Sequence, residues 1–295
     1  MNCKGFQDKF ILVEYNNLPY PDGYFPQLKE IAAHLDKEEI YPDGNYSLHT
    51  EYSYGKRKLK SSRIAEFPEL MTSNKDGVPQ LWKSIAWAEE FAGFIISLSE
   101  EYNPPSVIEI HPPFNDYCSL TDFAARFRAF EERIHAVHPD VIIVLENRAG
   151  AVYRGGKFLV SKARDIVALC QIIEEQNLNL GVVLDFPQLL TAESIDPVVF
   201  KAAKYLAAIN AILPYRSHIK GIHIWGKKKS ATGRWVAHAG NLNTYFDCND
   251  ETKEIFLSGI YQICNDSNVR FLVPEVNTGP DDLAEIVHDL NSIFR

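Results

Sequence analysis

Short runs of β-branched and other apolar residues recur along the chain, separated by amphipathic stretches. The segments FILVEY (10–15), YSLHT (46–50), VIEIH (107–111), VIIVLE (141–146), LGVVLDF (180–186), IKGIHIW (219–225) and VRFLVPE (269–275) read as strands. Runs such as VIIVL lack polar alternation, as expected of parallel strands covered on both faces. Between the strands, apolar residues return at helical spacing. Phe123, Phe127, Phe130, Ile134 and Val137 share one face, with Thr121 as predicted N-cap. Ile166, Val167, Leu169, Cys170, Ile172 and Ile173 make a second face, opened by Ser161. Leu283, Ile286, Val287, Leu290, Ile293 and Phe294 make the last.

Strand followed by helix, repeated, means βαβ units and a parallel sheet. Strand ends at 111, 146, 185 and 223 step by 35 to 39 residues. A doubly wound sheet would give similar steps, but no GxGxxG loop follows any strand, so its dinucleotide-binding version lacks its signature. The pattern predicts an α/β fold, a single (β/α)8 barrel of TIM type occupying residues 1–295 as one domain. Seven strands are legible where eight are needed. The eighth is either hidden in residues 1–9 or absent, so the first strand is expected to be missing or irregular.

Composition narrows the class. The 295 residues are 46% hydrophobic and 23% charged, which excludes disorder and coiled coil. The longest apolar run, residues 91–98, falls well short of the ~20 residues of a membrane span. The N-terminal MNCKGFQDKF lacks the apolar core of a signal peptide. Five cysteines (Cys3, Cys118, Cys170, Cys248 and Cys264) form no CxxC pair. They predict reduced thiols in a cytoplasmic protein and no cysteine-based zinc site.

Polar residues end the strands. His49, His111, Glu146, Asp185, His223 and Glu275 each lie at or near the C-terminal end of a different strand. In a barrel those ends converge on the face where active sites are built. A single strand-end histidine is often just a hydrogen-bonded structural residue, and Asp or Glu there caps the next helix. Six together, one per strand, are the make-up of a metal site, because crowded carboxylates need a cation to stay ionised. His34, His135, His138, His218 and His288 fall in helical or loop stretches and read as surface residues.

The phrases VIEIHPPF, VLENRAGAVYRGGKF, VVLDFPQL, IHIWGKKKSATGRWVAHAGNLNT and FLVPEVN resemble the xylose-isomerase-like barrels, most closely the endonuclease IV branch. The resemblance covers roughly residues 46–295 and is specific at the strand ends. It implies a metal-dependent barrel that cleaves DNA beside abasic sites with up to three zinc ions. By motif, His49, His111 and Glu146 would hold one metal. Glu146, Asp185, His223 and Glu275 would hold a second, with Glu146 bridging. The third site is damaged: the family expects a histidine where Gln188 stands and an Asp two residues before His238, where Val236 stands. The resemblance thus implies a two-metal site, with His238 and Gln188 left to contact substrate. Sugar isomerases and epimerases of the same superfamily use one metal, on Glu146, Asp185, His223 and Glu275, with Glu146 and Glu275 shuttling a proton. Both readings call for one or two divalent ions, zinc first and manganese as the alternative.

The chain carries a net charge of −9, yet fourteen of its 30 basic residues cluster in three stretches after strands: 50–63, 147–164 and 226–246. Lys56, Arg57, Lys58, Lys60 and Arg63 lie in the first. Arg148, Arg154, Lys157, Lys162 and Arg164 lie in the second, and Lys227, Lys228, Lys229 and Arg234 in the third. A basic rim around a metal pair favours a sugar or phosphoester carrying negative charge, abasic DNA included. Lys227, Lys228 and Arg234 are the expected phosphate contacts; Arg148, two residues after Glu146, is expected either to contact substrate or to point outward. Tyr52, Tyr54, Tyr153 and Trp235 interleave with these charges and are suited to stacking on a sugar or base. Plain lysine-rich surface loops would give the same composition without any substrate contact.

Overall fold

The computed structural model describes residues 4–51, 62–72, 74–75, 78–150, 152–153 and 156–294. Eight strands close a parallel barrel: β1 (Phe10–Glu14), β2 (Leu28–Ala33), β3 (Tyr46–Thr50), β4 (Val107–Ile110), β5 (Ile142–Glu146), β6 (Leu180–Asp185), β7 (Ile219–Ile224) and β8 (Arg270–Pro274). Each pairs with its sequence neighbour, and β8 returns to pair with β1. The strands bearing the six polar residues therefore follow one another around the barrel in chain order.

The eighth strand is β2, not a segment of residues 1–9. Leu28-Lys29-Glu30-Ile31-Ala32-Ala33 inserts between β1 and β3, with Val13 opposite Leu28 and Ala32 opposite His49. Lys29 and Glu30 interrupt its apolar character, which hides it from a hydrophobicity scan. Residues Lys4–Gln7 form a helical turn that buries Phe6.

Helices α1 (Ile85–Ser99), α2 (Leu120–Val137), α3 (Ala163–Gln176), α4 (Phe186–Ala192), α5 (Ala202–Ile212), α6 (Asp250–Cys264) and α7 (Pro280–Ile293) lie along the chain between and after the strands. Two helix starts differ from expectation. Ser119, not Thr121, caps α2, because Asp122 three residues on completes a reciprocal capping box with it. At α3 the cap position is Lys162, not Ser161. The Asp165 carboxylate accepts from the backbone N–H of both, at 2.9 and 3.3 Å.

Side chains alternate along a strand, so each barrel strand sends one set outward and one inward. Outward residues such as Ile108, Ile110, Leu145 and Leu184 join the large core beneath the helices. Inward residues divide the lumen in two. Val13, Leu28, Val107, Val144, Val183 and Val273 form an apolar plug. Two residues further along four of those strands, toward the C-terminal face, the same inward parity delivers Glu30, Glu109, Glu146 and Asp185. These polar residues therefore stand directly on a packed hydrophobic layer.

Candidate metal centre at the C-terminal face of the barrel

Register sets the first contacts. His49 of β3 lies beside Glu109 of β4, and Asp185 of β6 beside His223 of β7. Neighbouring groups hold these ends. The Asn147 side chain accepts from the Asp185 N–H at 2.9 Å and donates to the Asp185 carbonyl at 3.2 Å. Trp82 Nε1 donates to the His111 carbonyl at 2.7 Å, and Thr50 Oγ1 to the Glu109 carbonyl at 2.8 Å.

Glu109, His111, Glu146, Asp185, His223 and Glu275 are all at most 4% exposed, and His49 8%. Their donor atoms fall into two sets, each with its atoms within 4.8 Å of one another. His49, Glu109, His111 and Glu146 make one; Glu146, Asp185 and His223 make the other. Glu146 belongs to both. Glu275 Oε1 adjoins the second set, 3.5 Å from His223 Nδ1.

The electrostatics are those of carboxylates packed together out of water. Burial, with Glu146 and Glu275 nearby, drives Asp185 well above the usual carboxylate range. Burial also raises Glu109, against the pull of His223 and His49. Glu146 is held low despite burial, because Arg148 Nη1 donates to its Oε2 at 2.8 Å and His111 Nε2 lies 2.7 Å away. Burial pulls His111 down to about 3. It also opposes charge on His49, but Glu30 and Glu109 push that imidazole up to about 9.

A divalent ion suits this donor set. Glu109, Glu146 and Glu275 oxygens lie 3.1, 3.8 and 3.5 Å from the His223 ring nitrogens. Yet neither His223 nitrogen is in hydrogen-bonding geometry, nor are Glu109 Oε1 and Glu275 Oε2. Buried nitrogen and oxygen atoms this close and outside hydrogen-bonding geometry are costly alone and are satisfied by a cation with nitrogen and oxygen ligands.

Above the centre opens a cavity of about 1000 Å³ lined in part by His49, Glu146, Arg148, Gln188, Trp225, His238 and Glu275. His238 takes a left-handed backbone (φ 57°) and stacks on Trp225 at 4.6 Å. Its Nδ1 is 3.4 Å from Glu275 Oε2. Gln188 bridges two carboxylates: its Nε2 donates to Glu146 Oε1 at 2.6 Å and Asp185 Oδ2 at 2.8 Å.

The basic loops are placed differently from expectation. Arg148 points inward to Glu146. Lys227 is half-buried, its ammonium over the rings of Trp225 and Tyr245. Lys228, Arg234 and Trp235 sit on or beside an exposed hairpin of Lys227–Lys229 against Trp235–Ala237, and none lines the cavity. Lys56, Arg57, Lys58, Lys60, Arg154, Tyr52 and Tyr54 lie outside the described residues, as does Cys3. His34, expected at the surface, is half-buried in the cavity wall, its ring 6.4 Å from that of His49. Cys118, Cys170, Cys248 and Cys264 are free thiols. Among the described residues no helix is long and apolar enough to cross a membrane.

No protein-family model matches the sequence, and no curated protein does. Solved structures match in fold. The AP endonuclease AsfvAP, solved as AsfvAP:AG, superposes with a TM-score of 0.57 at 11% identity, over 97% of this chain and 100% of that one. The chain has the (β/α)8 TIM-barrel fold. An Ig-like-domain-containing GH10 xylanase from termite gut reaches 0.50 at 8% identity, over 98% of this chain and 76% of its own. A sugar phosphate isomerase/epimerase from Parabacteroides distasonis gives 0.43 at 10%, over 92% and 88%.

Sequence reasoning missed Glu30 and Glu109. The Glu30 carboxylate lies 3.1 Å from His49 Nδ1. Each residue stands two positions before another inward-facing one, so strand parity was the signal that could have found them.

Proposed function

We propose that this protein is a divalent-metal-dependent phosphoester hydrolase of the endonuclease IV type. The observation that carries the reading is the pair of donor sets sharing Glu146. His49, His111 and Glu146 would hold one ion; Glu146, Asp185, His223 and Glu275 the other. When bound, such a pair lowers the pKa of water and braces the attacking and leaving oxygens of an in-line displacement. The chain's own groups do the rest. Gln188 and Arg148 fix the two Glu146 oxygens. Glu275 Oε2 receives the proton of the attacking water, and the His238 ring at 3.4 Å passes it on to solvent. The plug beneath excludes water from the floor of the site.

The cavity walls favour keeping a second reading, a one-metal sugar isomerase or epimerase. Among the described residues Lys29, Lys37 and Arg148 line the cavity against Glu30, Glu39, Glu146 and Glu275. Such a wall has no positive excess and suits a neutral polyol. In that reading Glu146 and Glu275 shuttle a proton between adjacent carbons. One experiment separates the two: metal-reconstituted protein is offered an abasic-site duplex, a small phosphodiester, and panels of aldoses and ketoses. Cleavage of a phosphoester supports the hydrolase; interconversion of neutral sugars with no phosphoester cleavage overturns it.

A further inference from the structure

Glu109 takes no part in the two ligand sets that the motif resemblance implies, yet it stands between them. Its Oε1 is 3.6 Å from His49 Nδ1 in the first set, and its Oε2 is 3.1 Å from His223 Nε2 in the second. It is 3% exposed, and its inward direction is fixed by strand parity and by register against His49. Glu109 Oε1 and both nitrogens of His223 are buried outside hydrogen-bonding geometry. Glu109 also belongs with His49, His111 and Glu146 to a set whose donor atoms all lie within 4.8 Å of one another, the spacing of ligands around a common ion.

We infer that Glu109 is a metal ligand joining the two donor sets, and that it tunes the first of them toward manganese and away from zinc. The inference rests on the two-metal reading above. Without Glu109 the first set is two imidazoles and one carboxylate, a three-ligand set with one open position that zinc takes readily in tetrahedral geometry. Glu109 adds a hard, anionic oxygen and a fourth protein ligand. Zinc gains little from it, whereas manganese, which prefers oxygen donors and six ligands, gains more. Zinc still binds more tightly in absolute terms, as the ordinary order of divalent affinities requires; the expected effect is a narrowed gap between the two ions.

The test is a comparison of Mn²⁺ and Zn²⁺ affinities for the metal-free wild type, Glu109→Gln and His111→Ala, by calorimetry, with Mn²⁺ paramagnetic resonance to count ions. Glu109→Gln should weaken Mn²⁺ binding at the first set by at least about tenfold, the scale at which even outer partners of a metal site act. Zn²⁺ binding should weaken less, so that the zinc-to-manganese ratio widens. His111→Ala should lose the first ion whichever metal is offered. Glu109→Asp, which keeps the charge but shortens the reach, serves as the second variant should Glu109→Gln fold poorly, and should also widen the ratio. Equal loss of both metals, or no change in either, in a variant that still takes up two ions would overturn the role of Glu109 while leaving the two-metal reading intact. A wild type that binds neither metal would overturn both.

Discussion

Gln188 occupies the position where the resemblance expects a third-site histidine, and its amide is the group between the Glu146 and Asp185 carboxylates. Replacing it with Ala removes two hydrogen bonds, at 2.6 and 2.8 Å, from oxygens that water does not reach. The bond to Glu146, held ionised by Arg148, is worth about 1.5–3 kcal/mol, and the bond to Asp185, whose burial favours the neutral carboxyl, about 0.5–1.5 kcal/mol. The metal-free protein should therefore lose about 2–4.5 kcal/mol. Asp185 keeps its bonds from the Gln188 N–H and Trp225 Nε1 and so softens the loss toward the lower figure. Gln188→Glu tests the sign of the charge. Two like charges about 4 Å apart cost about 4 kcal/mol at an effective dielectric of 20, so the new carboxyl takes up a proton and donates one bond instead of two. It should cost roughly half as much as Ala near neutral pH. Urea unfolding with chelator and with saturating metal measures both. The Ala penalty should shrink when metal is present, because a cation compensates the same oxygens. An Ala variant unfolding within ~0.5 kcal/mol of wild type in chelator, the scatter of an ordinary surface change, would refute the reasoning.

Other outcomes follow from the same geometry. Glu146→Gln should weaken binding at both donor sets, whereas His111→Ala should affect only the first; elemental analysis with anomalous scattering at the zinc or manganese edge distinguishes them. Arg270, wholly buried, is held by both oxygens of Asp266 at 2.7 and 2.9 Å, and Asp266→Ala should cost about 3–5 kcal/mol by stranding that guanidinium. Hydrogen bonds from Arg270 and Asn268 depress the Asp266 carboxyl despite burial. Its contribution is therefore complete above the unfolded value near pH ~4 and fades as pH falls toward the folded value, which acid titration of stability in wild type and Asp266→Asn reads as a difference that closes at low pH. Lys228→Ala with Arg234→Ala, on the exposed hairpin, should leave turnover of a small substrate unchanged. The pair should weaken binding of an abasic duplex and flatten its salt dependence if DNA is the substrate.

Much of the barrel was legible because seven of its strands are short, mostly apolar runs and their helices carry clear apolar faces. β2 was not, for a physical reason. Its burial is partial along most of its length, and it carries the charged pair Lys29 and Glu30, both of which border the cavity. Two adjacent charged residues leave it too short an apolar run to be read as a strand by hydrophobicity. The N-cap of α2 was misplaced by two residues because Ser119 and Thr121 are both capping types. Only the Asp three residues after Ser119 distinguishes them.

The candidate site was legible where a polar residue ends an apolar run, and obscure where the polar residue lies inside the strand. VIEIH reads as a strand ending in His111, yet Glu109 and His111 share the inward parity, with Ile108 and Ile110 turned outward into the core beneath the helices. The strand is thus apolar on one side only: Val107 belongs to the plug and the next two inward positions to the polar ring. The height at which the lumen changes from plug to ring is set by the stagger of neighbouring strands, which no single strand encodes. Parity turns Glu109 inward, and its register against His49 sets it in the polar ring; Lys228 and Arg234, so prominent in composition, stand outside the cavity. Composition reports which charges follow a strand, whereas the twist of the loop after it decides whether they turn toward the centre, as Arg148 does, or away from it, as Lys228 and Arg234 do.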